Sequence, residues 1–193
     1  MPHPGPTLKQ LKDRLQRLLS SATRFSGVAY RSSTPEYATE DDLLTGEGSK
    51  LYGGRWNPIG IAVVYASLTP ETAMAETLAH NRYYGISIED AMPRTFVAIA
   101  AKLHAVLDFR DGNVRRRLQV SQKRILAVDW RKDVRAGREP ITQKIGQAAY
   151  EAGWEGLIVP SAVDPKAYNL LVFPDKRHPK SELEVLHADR LSK

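Results

Sequence analysis

The residues that could do chemistry are two arginines, an aromatic, a carboxylate and two small polar side chains: Arg31, Arg55, Tyr65, Glu76, Ser161 and Asn169. A guanidinium holds a diphosphate through paired hydrogen bonds, and an aromatic ring stacks on a nicotinamide. A carboxylate stabilises the positive charge that develops on a ribose when its glycosidic bond breaks. Taken singly, each residue fits an ordinary structural role. Taken together, they favour a site that holds an anionic dinucleotide and cleaves its glycosidic bond.

Other common chemistries find no support in the sequence. The five histidines are scattered and show none of the paired spacings typical of a metal site. Gly46 and Gly48 follow no strand and lack the third glycine of a dinucleotide fingerprint. A P-loop is absent, and Ser161 stands in Pro-Ser-Ala rather than in the GxSxG elbow of a hydrolase. We therefore expect no metal in the site.

The stretch over residues 50–80 must position most of the candidate side chains. The Gly53-Gly54 pair predicts a rigid turn, in which glycine supplies a positive φ or allows close backbone approach. An apolar, β-branched strand is expected over residues 61–67. The Thr69-Pro70 pair then has the residue types of a helix N-cap and first helical position. A glycine turn therefore leads to a strand, and the strand leads to a capped helix that carries Glu76.

The surroundings of Glu76 decide whether it takes part in chemistry. Ala73 and Ala79 lie on either side of it at helical spacing, so a sheet or a ligand could approach this face closely. Burying an unpaired carboxylate there is costly, and we therefore expect Glu76 to face a polar cleft. The alternative is a solvent-facing carboxylate that pairs with Arg82.

The rest of the chain predicts short strands and a few helices. Leucines at helical spacing indicate an amphipathic helix over residues 7–20, whose stripe packs in the core or, as the alternative, binds a partner. Residues 32–50 are polar and predict a long loop. Strands are expected over 27–31, 95–101, 105–109, 156–159, 168–173 and 183–187, helices over 113–126 and from 141 to a C-cap at Gly153, and a basic connector over 131–138. Such an order favours a single α+β domain with a mixed, mostly antiparallel sheet and flanking helices.

Composition narrows the class of protein further. The 193 residues fit one domain, and the absence of cysteine excludes disulfides and cysteine-ligated zinc. The first residues lack an apolar signal segment and no apolar run reaches membrane-spanning length, so we expect a cytoplasmic protein. The net charge is +6, and much of the excess lies in residues 115–138. This segment is more typical of a solvated helical face than of a nucleic-acid site, because Trp130 is its only aromatic residue.

Five runs of the sequence resemble the RES domain family: YR at 30–31, GGRWNPIGIAVVYAS at 53–67, ETAMAETLAH at 71–80, VPSA at 159–162 and NLLVFPD at 169–175. The resemblance covers roughly residues 27–175, and its GGRWNP…YAS…AE block is long and specific. It implies a fold similar to that of ADP-ribosyltransferases of the diphtheria-toxin kind, in a family whose members consume NAD. By motif position, the Arg, Glu and Ser for which the family is named fall on Arg31, Glu76 and Ser161.

The resemblance implies an NAD-consuming toxin of a RES–Xre toxin–antitoxin pair, which breaks the nicotinamide–ribose bond by hydrolysis or phosphorolysis. Glu76, Arg31 and Ser161 would be catalytic, and NAD contacts would come from Tyr30, Arg31, Arg55, Tyr65, Ser67 and Asn169. The expected partner is a cognate helix-turn-helix antitoxin of the Xre type. An ADP-ribosyltransferase toxin that modifies a protein is the first alternative, and a non-catalytic nucleotide- or nucleic-acid-binding module is the second. The chain would divide into a disordered leader (1–6), a helix with its connector (7–26) and the catalytic domain (27–193).

Overall fold

Helices pack on a six-stranded sheet in the computed structural model, which describes residues 5–191. The helices are α1 (Leu8–Leu18), α2 (Glu40–Leu44), α3 (Glu47–Tyr52), α4 (Pro70–Tyr83), α5 (Ile88–Ala91), α6 (Gly112–Leu118), α7 (Gln122–Leu126), α8 (Trp130–Arg135) and α9 (Ile141–Ala152). The strands are β1 (Thr23–Ser33), β2 (Val64–Ser67), β3 (Thr95–Asp108), β4 (Gly156–Pro160), β5 (Tyr168–Val172) and β6 (Glu182–Val185). The predicted α+β class is confirmed.

The strands follow the order β1-β2-β5-β4-β3-β6, and β1 also pairs with β3. The first five strands therefore form a closed circuit, with β6 added along β3. All neighbouring strands are antiparallel except β3 and β4, which are parallel. The predicted mixed, mostly antiparallel sheet is thus confirmed. The link between β1 and β2 consists of one residue pair, Tyr30 with Ser67.

The leucine stripe of α1 packs in the core, as predicted. Leu11, Leu15 and Leu18 are buried in one cluster with residues of α9. The indole nitrogen of Trp154 donates to the Leu15 carbonyl at 3.2 Å, which joins the end of α9 to α1. Of the predicted leader, residues 1–4 lie outside the described residues, and Pro6 is buried.

The glycine turn before β2 uses both properties expected of its glycines. Gly53 has a φ of +69°, and a Cβ on Gly54 would lie 2.5 Å from the Tyr65 hydroxyl oxygen. The centre of the turn is Asn57, which is fully buried. Its side-chain nitrogen donates to the Ser49 and Ile61 carbonyls at 2.8 and 2.9 Å, and its oxygen accepts from Tyr65 at 2.7 Å. These bonds hold the turn rigidly against the first residues of β2.

The turn also packs against α9, where Gly146 leaves no room for a side chain. A Cβ at this position would overlap the Trp56 carbonyl oxygen. On the same helix, the Gln143 side chain donates to the Gly54 carbonyl at 2.8 Å. Close backbone contact between the turn and α9 is therefore possible only with glycine at position 146.

We expect Gly146→Ala to lower the free energy of unfolding by about 1–3 kcal/mol, because the added methyl group forces the turn away from α9. Replacing a helical glycine by alanine is otherwise stabilising by up to about 1 kcal/mol. Gly48→Ala in α3 is the matched control, since a Cβ there meets no atom within 4 Å. Thermal and urea unfolding of both variants measure the effect. Equal changes in the two variants would contradict the close contact.

Four expectations about secondary structure are wrong. The predicted loop over 32–50 contains the short helices α2 and α3. The predicted helix over 113–126 is two helices, α6 and α7, because Gln119 between them has a φ of +57°. The basic connector over 131–138 is partly helical, since it includes most of α8. The strands expected at 95–101 and 105–109 are one continuous strand, β3. Within residues 5–191, no helix has the length and apolar character needed to span a membrane.

Candidate active site

The carboxylate of Glu76 lies among polar groups, as the sequence predicts. It projects from α4, which Thr69 caps by accepting from the Thr72 amide at 3.2 Å. One carboxylate oxygen, Oε1, accepts three hydrogen bonds: from the Ser161 hydroxyl at 2.7 Å, the Asn169 amide at 2.8 Å and the Ala162 backbone at 3.1 Å. The other oxygen, Oε2, accepts no side-chain hydrogen bond among residues 5–191. Glu76 is thus held in place while one oxygen stays available. The alternative pairing with Arg82 is wrong, because the carboxylate is bound to these groups instead.

The strand register brings the partners of Glu76 together from distant parts of the chain. Ser67 at the end of β2 pairs with Asn169 near the start of β5 and with Tyr30 of β1. Paired residues of neighbouring strands point to the same face of a sheet, so these three side chains share one face. The Ser67 hydroxyl donates to the Asn169 side-chain oxygen at 2.7 Å, which fixes the amide so that its nitrogen faces Glu76. The structure therefore places Tyr30, Ser67 and Asn169 around one polar centre.

Ser161 is committed to Glu76 and to its own loop. Its hydroxyl donates to Glu76 and accepts from the backbone amides of Val163 at 3.1 Å and Asp164 at 3.2 Å. The side chain is fully buried. In this arrangement Ser161 positions the carboxylate, and its predicted catalytic role stays a prediction.

Arg55 and Tyr65 lie beside this centre, but both are tied to the protein backbone or turn. The Arg55 guanidinium donates to the Val128 and Ile125 carbonyls at 2.9 and 2.8 Å, at the end of α7. Burial lowers the pKa of Arg55, and the nearby Glu76 carboxylate offsets part of this shift. Burial likewise raises the pKa of the Tyr65 hydroxyl, which accepts from the Trp56 amide at 3.0 Å. Their roles in binding NAD stay predictions: Nε of Arg55 is inaccessible and unpaired within residues 5–191, and Tyr65 is partly exposed.

Arg31 does not join the hydrogen-bonded group around Glu76. It pairs with Val97, and alternation along β1 puts its side chain on the sheet face opposite to that of Tyr30. Two of its nitrogens, Nε and Nη1, are inaccessible and have no hydrogen-bond partner in the described part of the chain. Burial lowers the pKa of Arg31, and Asp42 partly offsets the shift, although no ion pair with Arg31 forms among residues 5–191. Its catalytic and NAD-binding roles stay predictions.

Two residues near the site were missed by reasoning from the sequence. His80 lies one helical turn after Glu76, and its Nδ1 accepts from Nη2 of Arg131 in α8 at 3.1 Å. Burial, Arg131 and Arg94 all lower the pKa of His80, which favours the neutral ring that this bond requires. The four-residue spacing from Glu76 was the available signal for His80. No comparable signal points to Arg131, because it is one of several basic residues in its segment.

The site therefore contains a fixed carboxylate with one open oxygen, and Arg55, which forms no ion pair among residues 5–191, lies beside it. The chain belongs to the RES domain family, which matches residues 28–192.

Individual relatives support this assignment. The Prs ADP-ribosylating toxin of Sphingobium sp. (strain YBL2) is 31% identical over 161 residues, covering 79% of this chain and 84% of that protein. Toxin Res of Photorhabdus laumondii is 27% identical over 148 residues, covering 76% and 81%. The NAD(+) phosphorylase MbcT of Mycobacterium tuberculosis is 26% identical over 129 residues, covering 63% and 62%.

The fold also matches a solved structure, the crystal structure of the M. tuberculosis MbcT–MbcA toxin–antitoxin complex. The TM-score is 0.68 at 23% identity, and the match covers 91% of this chain and 90% of that one. The protein is therefore a RES-family chain related to toxins, with the fold of MbcT.

Proposed function

We propose that this protein is a toxin that cleaves NAD at the bond between nicotinamide and ribose. The observation that carries the proposal is the Glu76 carboxylate, which has one oxygen fixed by three donors and the other open. Two relatives support NAD as the substrate, since one is named an NAD(+) phosphorylase and another an ADP-ribosylating toxin.

Glu76 acts by stabilising charge at the reacting ribose. As the bond between the ribose C1′ and the nicotinamide nitrogen breaks, its electron pair leaves with nicotinamide and the ribose gains oxocarbenium character. The open Oε2 accepts a hydrogen bond from a ribose hydroxyl, and the negative charge stabilises the cationic transition state. An acceptor oxygen then bonds to C1′ and loses its proton to solvent.

Arg31, which lies outside the hydrogen-bonded group around Glu76, is the cation that we assign to the phosphates of the substrate. Arg31 is a partly buried residue whose Nε and Nη1 are inaccessible and unpaired within residues 5–191, and an unpaired buried charge destabilises a folded protein. A diphosphate accepts hydrogen bonds from such a group in a planar, bidentate geometry. The absence of a carboxylate partner for Arg31 within residues 5–191 is explained if the substrate supplies the anion.

The test is an assay of purified protein with NAD, in buffers with and without inorganic phosphate. Nicotinamide should be released in at least one buffer. If water is the acceptor, the second product is ADP-ribose, and if phosphate is the acceptor, it is phosphorylated ADP-ribose. Chromatography with mass detection separates the products. NAD that stays intact in both buffers, and in a cell lysate, would overturn the proposal.

A second candidate function is transfer of ADP-ribose to a protein, which the name of the Sphingobium relative favours. The same site serves both reactions, and only the acceptor differs. Labelled NAD in a lysate distinguishes them, because transfer leaves the label on a protein. We also propose an antitoxin partner, which the solved complex of the related MbcT with MbcA supports. Its helix-turn-helix type is what the family resemblance implies.

A further inference from the structure

A cluster of one arginine, three aromatic rings and a histidine lies where the end of α4 meets α8. We name it the Arg131 cluster: Arg131, Tyr83, Tyr84, Trp130 and His80. The guanidinium carbon of Arg131 lies 4.3 Å from the centre of the Tyr83 ring, 4.5 Å from that of Trp130 and 5.4 Å from that of Tyr84. Tyr83 and Tyr84 are 41% and 57% exposed, so the cluster presents aromatic surface to solvent beside a held cation.

The charge of Arg131 is not neutralised by the described part of the protein. Within residues 5–191, its Nε is inaccessible and has no hydrogen-bond partner, and Nη2 donates only to the ring nitrogen of His80. No ion pair within residues 5–191 includes it. Aromatic rings attract a cation but carry no net charge. The arrangement therefore fixes a guanidinium in place and leaves it able to meet an anion.

Part of the cluster follows the Glu76 carboxylate along α4, because His80 and Tyr84 continue at four-residue spacing to the C-cap of the helix. His80 follows Glu76 by four residues and Tyr84 by eight, which correspond to about 6 and 12 Å along a helix axis. Arg55, which lies beside Glu76, donates to the Val128 carbonyl just before α8 begins. The Arg131 cluster is thus at the right distance for the far part of an elongated ligand whose reacting end is at Glu76.

We propose that the Arg131 cluster binds the adenylate half of NAD, with Arg131 on the diphosphate and an exposed tyrosine face, that of Tyr84, stacked on the adenine. This inference rests on the proposed NAD cleavage and adds the part of the substrate that the cluster recognises. A guanidinium bonds phosphate oxygens strongly, and base–aromatic stacking contributes without requiring a particular hydrogen-bond pattern.

The experiment compares two ligands in protein that also carries Glu76→Gln, so that neither ligand is consumed. ADP-ribose contains the adenylate half, whereas nicotinamide mononucleotide lacks it. We expect Arg131→Gln to weaken ADP-ribose binding on the order of 10-fold, since a hydrogen bond to a charged group contributes about 1.5–3 kcal/mol. Binding of nicotinamide mononucleotide should change less than about 2-fold, because no contact with that half is removed. Titration calorimetry measures both.

Lys132→Gln is the matched control, because Lys132 is an exposed cation next to Arg131 on the same helix and makes no cation–π contact within residues 5–191. It should leave both affinities unchanged. Tyr84→Leu removes an exposed ring, so it tests the stacking contact even if Arg131→Gln does not fold; it too should weaken ADP-ribose selectively.

The inference is overturned if the Arg131 and Tyr84 variants bind ADP-ribose as tightly as their parent, or weaken both ligands equally. It is also overturned if Arg131→Gln, in otherwise wild-type protein, raises the KM for inorganic phosphate but not the KM for NAD. Arg131 would then bind the phosphate that accepts ADP-ribose. These binding measurements need no turnover. Selective loss of ADP-ribose affinity therefore supports the inference even where the wild-type protein leaves NAD intact, an outcome that overturns only the proposed function.

Discussion

Glu76→Gln is expected to lower the rate of NAD cleavage by about 100-fold or more while the protein stays folded. The glutamine oxygen can accept the same three hydrogen bonds that Oε1 accepts from Ser161, Asn169 and the Ala162 backbone. What the substitution removes is the negative charge on the open side. A charge contributes more at a cationic transition state than in the ground state, so kcat should fall much more than NAD affinity.

Glu71→Gln is the matched control, since Glu71 is an exposed carboxylate in the first turn of the same helix. It should keep wild-type turnover. The measurements are initial rates with NAD, binding of NAD to the inactive variant, and the melting temperature of each protein. If Glu76→Gln kept its melting temperature and turned NAD over at the wild-type rate, Glu76 would not be the catalytic carboxylate.

Local signals in the sequence predict α4 and the turn before β2 correctly. Thr69 and Pro70 are adjacent to the bonds they shape, and the two glycines act within their own turn. The group of side chains around Glu76, in contrast, depends on residues that are distant in the sequence. Ser161 and Asn169 lie 85 and 93 residues away in the chain, and only the strand register brings them to the carboxylate. Reasoning from residue types could propose these side chains as one site, and the family resemblance gave them expected roles, but neither predicts the hydrogen bonds that join them.

The errors in secondary structure have two physical causes: short helices carry little periodic pattern, and polar positions within a long strand resemble a break. α2 and α3 have five and six residues, fewer than two full turns each, and only α2 has a side-chain N-cap, Thr39, so polar composition outweighed the helical signal. β3 was divided because Lys102 and His104 interrupt an apolar run. In the structure Lys102 is on the outer face of the strand and pairs with Glu182 of β6 at 2.7 Å. Burial alternates over residues 101–103, so the polar residue at position 102 faces outward within a continuous strand and does not mark the end of one.

The sheet also changes what the neighbouring residues Tyr30 and Arg31 can do. In the sequence they form one motif. In the structure Tyr30 is on the face of Ser67 and Asn169, whereas Arg31 is on the other face, near Asp42. The two residues therefore need separate tests, because a loss of activity in one variant says nothing about the other.

Arg31→Lys is expected to lower kcat/KM for NAD on the order of 10-fold or more, because lysine keeps the charge but lacks the planar fork that binds phosphate bidentately. Arg31→Met removes the charge and should reduce activity further. The same change should not lower the melting temperature of the ligand-free protein, and it can raise it. The reason is that Nε and Nη1 of Arg31 are inaccessible and unpaired within residues 5–191, so the free protein loses no ion pair with them.

Opposite movements of activity and stability separate a ligand-binding arginine from a structural one. Arg24→Lys and Arg24→Met serve as controls, since Arg24 is exposed on the same strand and should tolerate both changes. Kinetics with NAD and thermal unfolding without ligand measure the two quantities, and added ADP-ribose should raise the melting temperature of the wild type more than that of Arg31→Met. If Arg31→Lys were fully active, Arg31 would act only as a point charge. If Arg31→Met lost stability but kept its kcat/KM, Arg31 would be a structural residue that holds α2 through Asp42. The phosphates of NAD would then have to be bound by Arg55 and Arg131.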